Sequence, residues 1–220
     1  MSTKRFIVVG LGNFGASVAE SLFAMGHDVI AIDANDQAVD RIARRVTRAA
    51  LADGRSIETL ERAGARGADA GIVSTGDDIT ASILATLSLH DLGVREVYVK
   101  VISLDHARVL EKMGVTETIF PERESGLRLA TRIVSPGILN YVRLGSGFSI
   151  QEMSVPSSWM GKSLRELELP RRYRVSVIAL HDVLRDEMIA VPDPDAPLKL
   201  SDTLLVAGRD ADLEAAAGVE

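Results

Sequence analysis

The stretch FIVVGLGNFGAS, Phe6 to Ser17, constrains the fold more than any other part of the chain. An apolar, β-branched run meets three glycines spaced G-x-G-x-x-G, at Gly10, Gly12 and Gly15, and a helical pattern begins at once. Each glycine has its own physical reason. Gly10 makes a tight turn, Gly12 lets the backbone approach a phosphate, and Gly15 lets the helix pack closely on the strand. The helix N-terminus offers unpaired N–H groups and the positive end of its dipole to an anion. A strand, a glycine turn and a helix in that order predict the first unit of a parallel sheet that binds a nucleotide.

The alternation continues. Strands are expected at Phe6–Val9, Asp28–Ile32, Arg48–Leu51, Ala70–Ser74, Val97–Val101 and Thr118–Phe120. Amphipathic segments lie between them, at Phe14–Met25, Gln37–Arg45, Ser56–Ala63, Ile79–Leu89 and Asp105–Lys112, and several stop at a glycine: Gly26, Gly64, Gly93 or Gly114. The fold class is therefore α/β, a Rossmann-like doubly wound parallel sheet over residues 1–122. Its ligand crevice is expected at the carboxyl ends of the strands.

After Glu122 the pattern changes. A helical stretch is read from Ser125 to Tyr141, interrupted at Pro136-Gly137, and Gly145-Ser146-Gly147 reads as a linker, so residues 123–145 form a crossover helix and connection. Residues 146–220 read as a small α+β domain. Its strands are placed at Phe148–Val155, Val175–His181, Met188–Val191 and Thr203–Ala207, with helices at Ser163–Leu167 and Ala211–Ala217. A domain of that size is marginal alone and gains stability by pairing with a second copy.

Composition narrows the function. A net charge of −6 argues against a general nucleic-acid binder, and the local cluster Arg41-Ile42-Ala43-Arg44-Arg45 reads as a solvated helix face. The absence of cysteine removes disulfides, thiolate nucleophiles and cysteine-ligated zinc, which suits the cytoplasm. Met1–Arg5 runs straight into the first strand and is read as carrying no secretory leader, and no apolar run reaches membrane-spanning length.

Several polar residues end strands that face the expected crevice. Asp33, 18 positions after Gly15, stands where a carboxylate accepts hydrogen bonds from an adenosine ribose, and it also suits a helix cap. Asp53 is open between a ligand contact, at the adenine, and a helix cap, whereas Asp77 and Asp78 read as caps of the next helix. Lys100, between Val99 and Val101, reads as a phosphate contact. A catalytic partner is missing. His27, His90, His106 and His181 sit in separate segments with no evident carboxylate partner. Tyr141 is followed four positions on by Gly145 rather than lysine, and Met160-Gly161-Lys162-Ser163 reads as a helix start rather than a P-loop. A binding module fits better than an enzyme.

Taken together, FIVVGLGNFGAS, GHDVIAID, VSTGDDITASILATL, VYVKV, HARVLEKMGVTETIFPERESG and LKLSDTLLVAG resemble the RCK (TrkA-type) regulators of potassium uptake, in particular their KtrA-type members. That resemblance implies an RCK N-terminal domain joined to a TrkA-C domain. It implies homodimers that assemble into an octameric ring at the inner face of the cell membrane, beneath a membrane-embedded potassium transporter subunit of KtrB/TrkH type. It also implies ATP and ADP competing for the crevice and changing a dimer hinge, or NAD(H) in TrkA relatives. By motif position the ligand residues would be Gly10, Gly12, Asn13, Phe14, Gly15, Asp33, Asn35, Asp53, Thr75 and Lys100. Glu122 matches a carboxylate that helps hold an activating divalent cation, its plainer reading being a helix cap.

One position departs from the pattern. Many KtrA-type proteins carry arginine where this chain has Asn13, near the terminal phosphate. Asparagine supplies no fixed positive charge, so AMP, ADP or NAD(H) gains ground against ATP. Some relatives bind cyclic di-AMP at the TrkA-C dimer interface. Here Leu169–Tyr173 and Val175–Ile178 occupy the corresponding region, with plain dimer packing as the alternative. The expected function is a nucleotide-sensing gating subunit without chemistry of its own. The alternative is an NAD(H)-dependent oxidoreductase or redox sensor on the same scaffold.

Overall fold

The computed structural model describes residues 2–134, 138–145 and 147–218. It divides into two compact units, residues 1–122 and 123–220. In the first, strands β1 (Arg5–Val9), β2 (Asp28–Asp33), β3 (Arg48–Leu51), β4 (Ala70–Val73), β5 (Glu96–Lys100) and β6 (Glu117–Ile119) alternate with helices α1 (Asn13–Ala24), α2 (Asp36–Ile42), α3 (Ile57–Ala63), α4 (Ile79–Asp91) and α5 (Leu104–Lys112). All the pairings are parallel and the order is β3-β2-β1-β4-β5-β6. The chain runs outward from β1 to β3, then returns to β4 beside β1. That reversal makes the switch point where ligands of such sheets bind.

Two apolar layers sandwich the sheet, as helices on both faces require. One joins Ile7, Val9, Ile32, Val73, Val97 and Val99 to Leu60, Leu89 and Leu110 of α3, α4 and α5. The other joins Val8, Val29, Ala31 and Ile72 to Ala19, Val39 and Ile42 of α1 and α2. The helices start where side chains satisfy their first N–H groups: Asn35, Ser56, Asp78 and Ser103 cap α2, α3, α4 and α5. On the α1 face an apolar groove of about 380 Å³ stays open, lined by Phe6, Phe14, Val18, Leu22, Ile72, Tyr98 and Ile119 among others.

In the second unit the expected helix over Ser125–Tyr141 is corrected. Helix α6 spans Pro121–Val134, and Ile138–Gly145 is a strand, β7, antiparallel to β8 (Phe148–Ser154). The alternation Ile138, Asn140, Val142, Leu144 fits a strand as well as a helix, and pairing with β8 decides it. Gly145 and Gly147 therefore belong to the β7–β8 connection, whereas Pro136, Gly137 and Ser146 lie outside the described residues. Strands β9 (Ser176–Asp182), β10 (Glu187–Ile189) and β11 (Asp202–Arg209) complete an antiparallel sheet ordered β10-β9-β11-β8-β7. Short helices α7 (Leu164–Leu167) and α8 (Leu169–Arg172) and the terminal α9 (Asp210–Ala217) pack with it around Met153, Trp159, Leu169, Leu204, Val206 and Leu213. Ser163 and Glu166 form a reciprocal capping box, so MGKS runs into a helix start.

Candidate functional site: a crevice at the strand tips

The crevice lies over the carboxyl ends of β1, β2, β3 and β4 and measures about 430 Å³. Its lining includes Gly10, Gly12, Asp33, Asp53, Arg55, Ser74, Thr75 and Asp78. The glycine loop is locked by close approaches. A Cβ on Gly10, whose φ is +92°, would stand 2.1 Å from the Ser74 carbonyl oxygen, and one on Gly15 would stand 1.9 Å from the Gly10 oxygen. A Cβ on Gly12 would meet nothing within 4 Å, so this is the glycine whose bareness leaves room for a ligand. No side chain caps α1 and its first turn has no acid, which leaves its N–H groups to an anion.

Asp33 does more than face the crevice. Its Oδ2 accepts the Leu11 backbone N–H at 2.6 Å and its Oδ1 accepts the Asn35 N–H at 2.7 Å. The carboxylate therefore ties the glycine loop to the β2 tip while lining the crevice. It caps no helix. That role falls to Asn35, whose Oδ1 accepts from Gln37 and Ala38, and Asn35 is not among the crevice-lining residues.

Asp53 caps no helix but does line the crevice, where a ligand contact is expected of it. Ser56 caps α3, while Asp53 is engaged by Arg55: Nε donates to Oδ1 at 2.9 Å, Nη2 to Oδ2 at 2.8 Å, and the Arg55 N–H to Oδ1 at 3.0 Å. The side-chain hydrogen bond from Arg55 holds the Asp53 carboxyl below the usual range. Arg55 carries no sequence motif, and only its position just past a strand tip could have marked it. Thr75 lines the crevice and donates to the Asp78 carbonyl at 3.1 Å, and Asp78 caps α4 through the Ala81 N–H.

Other expected site residues lie elsewhere. Asn13 is exposed in the first turn of α1, where its carbonyl accepts from Ser17 Oγ. Phe14 lines the apolar groove instead of the crevice. Lys100, at the end of β5, pairs with Glu122 at 2.6 Å and lowers that carboxyl. Neither lines the crevice. No cluster of three histidine, aspartate or glutamate side chains suited to a metal occurs among the described residues. Glu122 already faces an ammonium, so one copy of this chain does not fit a divalent cation there.

Among the histidines, His106 is buried and bonded through Nε2 to Ser82 Oγ at 3.2 Å, and burial pushes its pKa down. His181 does have acidic neighbours, contrary to expectation: Glu152 at 3.5 Å and Asp186 at 3.3 Å. They lie in the second unit, on the antiparallel sheet. In the region compared with a cyclic di-AMP site, Leu169 and Val175 are core residues, and Arg171 and Arg172 are exposed beside Glu168.

Comparison with known proteins places this geometry. The TrkA-N domain model matches residues 6–121 and the TrkA-C domain model residues 150–218. The "Ktr system potassium uptake protein A" of Bacillus subtilis is 31% identical over 214 residues, covering 97% of this chain and 96% of that protein. Its namesake in Vibrio alginolyticus is 36% identical over 205 residues, covering 93% and 92%. In three dimensions the chain is similar to the GsuK RCK domain, with a TM-score of 0.65 at 15% identity over 99% of this chain. A GsuK channel bound to NAD also scores 0.65, at 16% identity and again over 99% of this chain. The chain spans only 48% and 40% of those two chains, and at such identities they speak to the fold alone. The Kef C-terminal domain of Shewanella denitrificans, in an AMP-bound form, matches 60% of this chain with a TM-score of 0.53. Two domain models in the order TrkA-N then TrkA-C, and near-full-length identity to Ktr proteins, make this chain a member of the TrkA-type family of potassium uptake proteins.

Proposed function

We propose that the protein is a nucleotide-sensing regulatory subunit of a potassium uptake system, in which the nucleotide is a signal and undergoes no reaction. The observation that carries this is the crevice itself, a glycine-locked anion cradle at the β1/β4 switch point in a chain related to potassium uptake proteins. The glycine loop and α1 hold the phosphate, Asp33 receives the ribose, and the base lies toward β3. Asp33, Asp53 and Asp78 against Arg55 give the lining a negative balance. That balance disfavours the highly charged ATP and favours AMP, ADP or NAD(H). NAD and AMP in the named structural neighbours agree with that class.

The working assembly is a homodimer built into a ring that docks on a membrane-embedded potassium transporter at its cytoplasmic side. Among the described residues no helix is long and apolar enough to cross a membrane. The open groove on the α1 face, with Phe6, Phe14 and Tyr98, is the surface a second copy would cover. Residues 1–122 act as the sensor and the unit over residues 123–220, which includes β7, as a dimerising domain. Gating follows from differential affinity: a nucleotide shifts the assembly only as far as it prefers one hinge state.

The test is calorimetric titration of the purified protein with ATP, ADP, AMP, NAD, NADH and cyclic di-AMP, with light scattering of each complex. Saturable binding of an adenosine nucleotide to a dimer or larger species is expected. A protein that binds none of them, or stays a monomer throughout, defeats the proposal. Steady turnover of a hydride donor would establish the oxidoreductase instead.

A further inference from the structure

We propose that Arg55 is the base-recognition residue of the crevice, its guanidinium a flat platform on which the purine of a bound nucleotide stacks. This rests on reading the crevice as a nucleotide site.

The backbone that presents Arg55 is fixed. A Cβ on the preceding Gly54 would stand 2.2 Å from Val9 Cγ1, so the loop lies directly on β1. The Arg55 carbonyl accepts Ser88 Oγ from α4 at 3.0 Å, and Ser56 begins α3 immediately after. The side chain is oriented as well, because Asp53 accepts two parallel hydrogen bonds along one edge of the guanidinium. An edge-on fork leaves both faces of the plane uncommitted, and about half of the side chain is exposed. A planar cation held that way stacks on aromatic rings.

Strand order says which part of the ligand arrives there. The glycine loop follows β1, Asp33 ends β2, and the Asp53–Arg55 loop follows β3, one strand farther out. A nucleotide with its phosphate on the loop and its ribose on Asp33 therefore carries its base toward β3. The same end of the lining contributes the small apolar surfaces of Ala34 and Ala52, which suit a ring. For Arg55 to bind the phosphate it would have to abandon Asp53, leave that carboxylate unpaired and reach back past Asp33. Stacking requires none of this. Asp53 is then a positioning residue that acts through Arg55.

The experiment compares AMP with ribose 5-phosphate, which has the sugar and phosphate but no base, in wild type, Arg55→Ala, Arg55→Lys and Asp53→Asn. Binding is followed by calorimetry and ligand-observed NMR, and thermal melting verifies that each variant folds. Arg55→Ala is expected to weaken AMP by about ten-fold, the size of a partly desolvated cation–π contact, and to leave ribose 5-phosphate within about two-fold. Arg55→Lys keeps the charge but not the plane and should behave like alanine, with Asp53→Asn in between. Equal losses for both ligands would show a phosphate contact and overturn the proposal. So would a lysine variant that binds AMP like wild type, or an alanine variant with unchanged affinity. If wild type binds neither ligand, the nucleotide reading itself fails and this inference goes with it.

Discussion

Replacing Asp33 separates two jobs that one carboxylate performs. Oδ2 accepts from Leu11 N–H at 2.6 Å, and Leu11 is 1% exposed, so water cannot replace that acceptor. Oδ1 accepts from the N–H of Asn35, an exposed residue whose amide water can satisfy. Hydrogen bonds to a charged group contribute about 1.5–3 kcal/mol, so Asp33→Ala should destabilise the nucleotide-free protein by about 2 kcal/mol, nearly all through Leu11. Asp33→Asn can turn its amide oxygen to Leu11, and should cost about 1 kcal/mol. Binding adds a second loss. Deleting a charged acceptor for the ribose should weaken AMP by roughly 10- to 100-fold in the alanine variant. Urea unfolding without ligand measures the first effect and calorimetry with AMP the second. An alanine variant with the wild-type urea midpoint would refute the anchoring argument. A destabilised variant with wild-type AMP affinity would refute the ribose assignment while leaving the anchor intact.

The glycines should part company on substitution. Gly15→Ala drives a Cβ to 1.9 Å from the Gly10 oxygen and should lower stability by at least the ~1–3 kcal/mol of an overpacked core. Gly12→Ala, with nothing within 4 Å, should melt like wild type without ligand yet lose the stabilisation that AMP confers. Lys100 holds the Glu122 carboxyl below its ordinary value of 4.5. A depressed carboxyl lends stability above its unfolded pKa and loses it as pH falls through the folded value, so wild type should weaken below about pH 4.5 by an increment that Lys100→Met lacks. An NMR titration should show the Glu122 carboxyl shifted up toward its ordinary value in that variant, its backbone hydrogen bond remaining, and an unmoved titration would contradict the pairing. Asn13→Arg adds a fixed cation near the cradle and should raise the affinity of ATP relative to AMP by about ten-fold. An unchanged ratio would separate this position from phosphate recognition.

How much was legible beforehand follows from how local each signal is. The strand–glycine–helix order and the capping residues act within a few positions, so every strand of the first sheet fell within two residues of its expected ends. Helix α6 and strand β7 were misread because Ile138, Val142 and Leu144 suit both periods, and pairing with β8, a tertiary fact, settled the choice. The same limit governed the site. Asp33 stood out through its spacing from Gly15. Arg55 did not, because its role depends on Asp53 beside it, Val9 under the preceding glycine and Ser88 from a distant helix. Asp78 caps α4 as its sequence suggests, whereas Asn35, expected as a ligand residue, caps α2: the side-chain oxygen that caps a helix also suits a ligand, and the hydrogen bonds to Gln37 and Ala81 tell which helix each serves.

The rigidity of the crevice also limits how it can signal. Gly10, Gly15 and Gly54 are pressed against backbone or β1 side chains, and Asp33 ties the loop to β2, so this part of the lining is closely packed. A surface that is the same in both states of an assembly binds a nucleotide equally in both and shifts nothing, however tight the binding. Moving an equilibrium from mostly one state to mostly the other takes a preference of roughly 10⁴-fold, or about 5.5 kcal/mol. That preference has to arise from groups the glycines do not lock. Among the described residues these include Asn13, exposed beside the cradle at the start of α1, and the exposed lining residues Arg55, Gly76 and Asp78. The glycine motif thus accounts for affinity, and the exposed residues around it are where discrimination between nucleotides is to be sought.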